Sequence, residues 1–134
     1  MARSKPKGGF RSTFEYDFSK HLSRKKIKFG YETESIQWTP PVTTKNYWPD
    51  FVLDKKDGTK LYLENKGRLT VDDRKKMLCV KQQNPELDIR FVFQNAKAKI
   101  RKGSKTTVSM WAEKNGFLWC ESVLPVEWEK EIKK

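Results

Sequence analysis

The sequence predicts an α/β fold with a mixed central β-sheet flanked by helices. Three observations carry this. Two runs of alternating apolar residues, Tyr47 to Asp54 and Lys60 to Lys66, flank Asp57-Gly58 in the pattern of a β-hairpin. Helical signals lie on both sides of it: Phe14, Phe18 and Leu22 recur every four residues, and Thr70 caps a stretch that runs to about Gln83. The apolar run Ile89 to Phe93 then reads as a buried strand.

In chain order, residues 1–11 read as a flexible basic arm, with Arg3, Lys5, Lys7 and Arg11 around Pro6 and Gly8-Gly9. Residues 12–134 form a single domain. Ser12 opens the first helix, and Ser12-Thr13-Phe14-Glu15 fits a capping box. Lys20, Arg24, Lys25 and Lys26 make the region away from the apolar stripe basic. Tyr31 to Trp38 alternates loosely, as a strand would. Pro40-Pro41 then stiffens the chain, so residues 39–46 could bridge two lobes or cross to a partner chain. After the hairpin, Asp72-Asp73 lie in the first turn of the Thr70 helix. Thr107 to Lys114 is a short helix stopped by Asn115-Gly116. Phe117 to Cys120 is a last strand and Pro125 to Ile132 a helical turn. The order is α-β-β-β-α-β-α-β-α.

With 134 residues, 36% hydrophobic and 34% charged, the chain has a thin core under a very polar surface, to which oligomerisation would add stability. Five Trp and eight Phe argue against disorder. The net charge of +12 makes a polyanion the natural partner. Cys79 and Cys120 are too few and too far apart for a disulfide framework or a zinc knuckle, and read as buried thiols. The only histidine, His21, excludes nucleases built on paired histidines and reads as a helix-surface or interface residue. With no long apolar run and no signal peptide, the expected location is the cytoplasm, with no membrane contact and no small-molecule cofactor.

Hairpin register decides the chemistry. A two-residue turn at Asp57-Gly58 would send Glu64 to the face opposite Asp50. A three-residue loop, Lys56-Asp57-Gly58, pairs Lys55 with Thr59 and sets Asp50 opposite Glu64. Asp50, Glu64 and Lys66 then share one face, while Phe51, Leu53, Leu61 and Leu63 share the other as the core face. Two adjacent carboxylates repel unless a cation lies between them, and with a neighbouring ammonium they suit metal-assisted phosphodiester cleavage. Pro49-Asp50 with Glu64-Asn65-Lys66 is thus a PD-(D/E)xK pattern, which charged strands also produce by chance.

The resemblance extends further. Phe10-Arg11-Ser12-Thr13-Phe14-Glu15, Pro49-Asp50-Phe51, Glu64-Asn65-Lys66-Gly67, Asp72 to Lys76, Asn84 to Phe93 and Leu124 to Trp128 resemble, in order, segments of the junction-resolving endonuclease I family of T-odd-type bacteriophages. That resemblance implies a restriction-endonuclease-like core in an intertwined homodimer that cuts four-way and other branched DNA. It implies one or two Mg2+ or Mn2+ per site and, for a phage protein, the host cytoplasm. Carried over by motif, Glu15, Asp50, Glu64 and Lys66 are catalytic. Metal ligands would be Asp50, Glu64, the Asn65 backbone carbonyl and Glu15, the last supplied by the partner chain. Residues 39–46 would bridge the lobes. The Asp50–Glu64 interval is a few residues longer than in the best-known relative, which a bulged hairpin absorbs, and Asn65 replaces the usual residue.

Glu15 fits a cap as well as a metal site. Arg11, Arg68, Arg74, Lys75 and Lys76 are the expected DNA phosphate contacts. Asp72 and Asp73 read as helix-terminus charges, and the Trp residues as core or dimer interface. A restriction- or repair-type nuclease acting on duplex DNA and a non-catalytic DNA-binding protein are the competing readings.

Overall fold

The computed structural model describes residues 8–40 and 44–134. It contains α1 (Thr13–Arg24), β1 (Gly30–Tyr31), β2 (Ile36–Trp38), β3 (Lys45–Tyr47), β4 (Phe51–Asp54), β5 (Lys60–Lys66) and α2 (Val71–Gln83). There follow β6 (Asp88–Phe93), α3 (Val108–Lys114), β7 (Trp119–Glu121) and α4 (Val126–Glu129). Five strands form one mixed sheet in the order β1-β4-β5-β6-β7, with β1, β4 and β5 antiparallel in succession and β5, β6 and β7 parallel. The mixed α/β expectation holds.

Two of the expected strands are broken. Tyr31 to Trp38 divides into β1 and β2, with Glu32 at φ +56° turning the chain between them. Tyr47 to Asp54 divides at Pro49, which has no N–H to give to a ladder. The freed pieces β2 and β3 pair with each other as a separate two-stranded sheet, Trp38 opposite Lys45 and Ile36 opposite Tyr47. Asn84 at the end of α2 ties this sheet down, its side-chain amide donating to the Gln37 carbonyl at 3.2 Å. Of residues 39–46, expected as a bridge, Lys45 and Asn46 lie in β3, and Pro41 to Thr43 lie outside the described residues. Of the basic arm, residues 1–7 likewise lie outside the described residues. Phe10 is packed, its ring 4.3 Å from that of Tyr31.

The β4–β5 hairpin has the bulged three-residue turn. Asp54 faces Lys60 and Phe51 faces Leu63, the Lys55 N–H reaches the Thr59 carbonyl at 2.8 Å, and Gly58 takes φ +89°. Phe51, Leu53, Leu61 and Leu63 are fully buried beneath Phe18 and Leu22 of α1 and Trp128 of α4. The opposite face is buried too. Val52 and Tyr62 lie in a second core with Met77, Val80, Phe91 and Trp111, beneath α2, α3 and the small sheet. The expectation of one core face fails because β5 is a central strand with a parallel neighbour: the α2 crossover that makes β6 parallel also covers the far face. Arg90 interrupts the apolar run of β6. It is buried, held by Asp88 and Glu131, with its guanidinium 4.9 Å above the Trp128 ring.

His21 is not a surface residue. It is buried, and its Nε2 accepts the Leu124 N–H at 3.0 Å, pinning the C-terminal loop to α1. Burial, and then Lys25 and Arg24, lower its pKa below 6.5. Cys120 is buried, which pushes its thiol up to about 12, whereas Cys79 is only half-buried; both are free. Among the described residues no helix is long and apolar enough to cross a membrane.

Candidate active site

Pro49 turns the chain out of β3 immediately before β4, and Asp50 sits at this bend, one residue ahead of the first ladder pair. Continuing the observed register places Asp50 opposite Glu64, in the middle of the sheet. Asp50, Glu64, Lys66 and Glu15 all line one open cavity of about 920 Å³, together with Arg11, Tyr47, Asp73 and Lys76. Asp50, Glu64 and Glu15 are nevertheless over nine-tenths buried.

Each carboxylate is positioned by a specific donor. The Asn65 N–H donates to Asp50 Oδ2 at 2.8 Å. The Tyr47 hydroxyl donates to Glu64 Oε1 at 2.6 Å, and Lys66 Nζ lies 3.2 Å from Glu64 Oε2. Lys66 is held from its other side by Asp73 Oδ1, also at 3.2 Å. Asp73 itself closes a capping box with Thr70 at the start of α2. The Ser12 side chain accepts the Glu15 N–H at 3.0 Å, but the Glu15 carboxylate does not turn back to complete a box. It accepts the Tyr31 hydroxyl at 2.7 Å and faces Asp50. The cap and the site therefore share Glu15 without conflict, its backbone serving one and its carboxylate the other. This Glu15 belongs to the same chain as Asp50 and Glu64.

The electrostatics follow from crowding. Burial, reinforced by Glu64 and then Glu15, raises the Asp50 carboxyl well above the ordinary carboxylate range. Burial, with Glu64 beside it, likewise raises the Tyr47 hydroxyl well above 10, so it remains a donor. Burial alone would lower the Lys66 ammonium, but Glu64, Asp73 and Asp50 outweigh it and raise its pKa, so Lys66 is a cation at neutral pH. Arg11 bonds Glu32 and lies 3.5 Å from Asp50 Oδ1, so it is engaged with the carboxylates.

Among the described residues no three acidic, histidine or cysteine side chains converge as a complete ligand set. Asp50 and Glu64 still fit a hard divalent cation. They are adjacent oxygen donors in a buried pocket with too little positive charge, and magnesium takes one or two carboxylates and completes its sphere with water and substrate oxygen. The site residues named from sequence, Glu15, Asp50, Glu64, Asn65 and Lys66, all come together here. The expected DNA contacts disperse. Arg11 and Lys76 line the cavity, Lys76 Nζ lying 5.6 Å above the Tyr47 ring, whereas Arg68 lines a separate cleft. Arg74 bonds the Thr70 carbonyl and Lys75 is exposed. Tyr31, Tyr47 and the role of Asp73 were not read from the sequence. Tyr47 reaches Glu64 only because the chain breaks at Pro49, and no alternation pattern marks that break.

A family model described as phage endonuclease I matches residues 1–134. The chain belongs to the phage endonuclease I family. It is 42% identical over 127 residues to Endonuclease I of Escherichia phage T7, covering 95% of this chain and 83% of that protein. It is 43% identical over 125 residues to Endodeoxyribonuclease 1 of Enterobacteria phage T3, covering 93% and 80% respectively. An endonuclease is what the buried carboxylate pair beside a lysine is equipped to be.

Proposed function

We propose that this endonuclease cuts DNA, with four-way junctions and other branched forms as its substrates, and that it requires Mg2+ or Mn2+. The carrying observation is the pair of buried carboxylates, Asp50 and Glu64, set side by side with Lys66 Nζ 3.2 Å from Glu64. Asp50, Glu64 and the Asn65 backbone carbonyl would hold the cation, with Glu15 beside them. When bound, the cation polarises the scissile phosphate, activates water and steadies the leaving oxygen. The chain's own residues prepare that step. The Asn65 N–H and the Tyr47 hydroxyl hold the two carboxylates in place, as donors that need no reorganisation. Asp73 aims the Lys66 ammonium across the mouth of the pair, where it meets charge developing on phosphate. The net charge of +12 favours a polyanion and implies steep salt dependence.

A junction has approximate two-fold symmetry and needs two cuts, which a homodimer with two sites supplies. If chains exchange across residues 39–46, Glu15 and α1 of one chain would meet Asp50 and Glu64 of the other. Branched DNA is then selected by shape and strand path, with little base preference.

The test is cleavage of a labelled four-way junction beside a matched linear duplex, with magnesium and with chelator, using Glu64→Ala as control. Paired, metal-dependent nicks near the branch point, absent from the variant, support the proposal. Cutting of the duplex alone makes it a restriction- or repair-type nuclease. Tight binding without cutting in magnesium, or in manganese run beside it, sinks the catalytic reading.

A further inference from the structure

Immediately beyond the active site lies a second cationic feature that the catalytic geometry does not use. The Gln94 N–H donates to the Lys66 carbonyl at 3.1 Å, so the chain leaving β6 starts beside the catalytic lysine. It then forms a hairpin arm. Lys99 pairs with Thr107, the Ile100 N–H reaches the Thr106 carbonyl at 2.9 Å, the Val108 N–H reaches the Ala98 carbonyl at 2.8 Å, and Gly103 turns the tip at φ +82°. Lys97, Lys99, Arg101, Lys102 and Lys105 are all exposed on this arm, and no acidic residue occurs between Asp88 and Glu113. The side of the arm opens onto a cleft of about 200 Å³ whose opposite wall is Arg68-Leu69-Thr70.

Most other cations near the site have partners. Arg11 bonds Glu32, Lys66 bonds Glu64 and Asp73, and Arg90 bonds Asp88 and Glu131. Among the described residues neither Arg68 nor any cation of the arm makes an ion pair. Like charges held this close repel, and an anion with several negative groups at polymer spacing relieves them together. A folded hairpin with fixed ends is also a better scaffold for such charges than a loose tail, because little backbone order is lost on binding.

We infer that the Lys97–Lys105 arm and Arg68 form a phosphodiester-backbone site that holds a duplex arm of the DNA as it leaves the catalytic pocket. The inference rests on DNA being the substrate. The site contacts phosphates rather than bases, because the side chains it presents from the exposed hairpin are lysine and arginine, and the nearest amide, Asn95, is turned back to accept the Lys97 N–H at 3.1 Å. It sets affinity and the path of the duplex, and the chemistry remains at Asp50, Glu64 and Lys66.

The experiment compares a Lys99→Gln/Arg101→Gln/Lys102→Gln triple variant with a charge-matched control, Lys56→Gln/Lys130→Gln/Lys133→Gln. The control residues are exposed and lie toward the opposite end of β5. Binding of a labelled four-way junction in chelator is titrated with salt for both variants and the unaltered protein, after melting curves confirm that each is folded. Each lost phosphate contact lowers the slope of log affinity against log salt by about 0.9, so three lower it by about 2.7. The unaltered protein's advantage over the arm variant should then shrink about 40-fold between about 50 and about 200 mM salt. Hydroxyl-radical protection of the duplex backbone beyond the cut site should disappear in the arm variant alone. Equal slopes for the two variants, or unchanged protection, would overturn the inference. Failure of the unaltered protein to bind any DNA would instead overturn the substrate reading beneath it.

Discussion

Replacing Tyr47 with phenylalanine isolates the support of Glu64 in the Asp50–Glu64 pair. The hydroxyl lies 2.6 Å from Glu64 Oε1 in a fully buried position, the length expected of a hydrogen bond to a charged acceptor. Phenylalanine keeps the ring in its core but leaves that oxygen buried without a donor. Hydrogen bonds to charged groups contribute about 1.5–3 kcal/mol, so stability should fall by that amount, or roughly 5–12 °C in melting temperature for a domain of this size. Glu64 is then steered only by Lys66 at its other oxygen. Removing a group that orients a metal-binding carboxylate weakens metal binding by about 10–100-fold. Cleavage rates of a labelled junction, measured across a magnesium series, should show that rise in the half-saturating concentration, while the rate at saturation falls far less. An unchanged half-saturation together with an unchanged melting temperature would refute the claim that Tyr47 holds Glu64 in place.

Three further outcomes are expected. Asp50→Asn should abolish cleavage yet raise the melting temperature in chelator, because it removes a buried charge crowded by Glu64 and Glu15; calorimetry beside a cleavage assay checks both halves. His21 has a folded pKa below its unfolded value, so its stabilising effect is complete above about pH 6.5 and is lost as the pH falls through the folded pKa. Denaturant midpoints at pH 7 and pH 5 should therefore fall further for the unaltered protein than for His21→Gln, whose amide oxygen can still accept from Leu124. Gly58→Ala forces a Cβ into a left-handed turn with open space around it, so stability should drop by about 1–2 kcal/mol while specific cleavage activity at low temperature stays unchanged.

Much of the candidate site is legible in the sequence because it is built from strand parity. Once the turn at Gly58 fixes which residues face each other, Asp50, Glu64 and Lys66 follow by counting. The helix caps at Ser12 and Thr70 are legible for the same local reason, whereas Thr107, read as the first residue of its helix, is the cap of a helix that starts at Val108. What escaped reading depends on contacts distant along the chain. The second core face required knowing that β6 joins β5 in parallel, and the burial of His21 required the C-terminal loop, 103 residues away, to fold back over α1. Tyr47 to Asp54 splits at Pro49, whose missing N–H is a local signal that the alternation of the run masks. The basic arm at Lys97–Lys105 carried an evident charge signal with no periodicity to give it a shape.

The bulged turn between β4 and β5 also bears on how this site can drift over generations. The ladder from Asp54–Lys60 inward holds Asp50 against Glu64 whatever the length of the tip, because the tip lies at the far end of β5 from Lys66. Residues gained or lost around Asp57 therefore change the count between the two carboxylates without changing their separation in space. The interval between these acids can thus lengthen or shorten without separating them, whereas a slip of one residue in the ladder itself would turn one of them to the opposite face. The same tolerance makes the Asp57–Gly58 junction the place to insert an affinity tag or a fluorophore into an enzyme that must remain active.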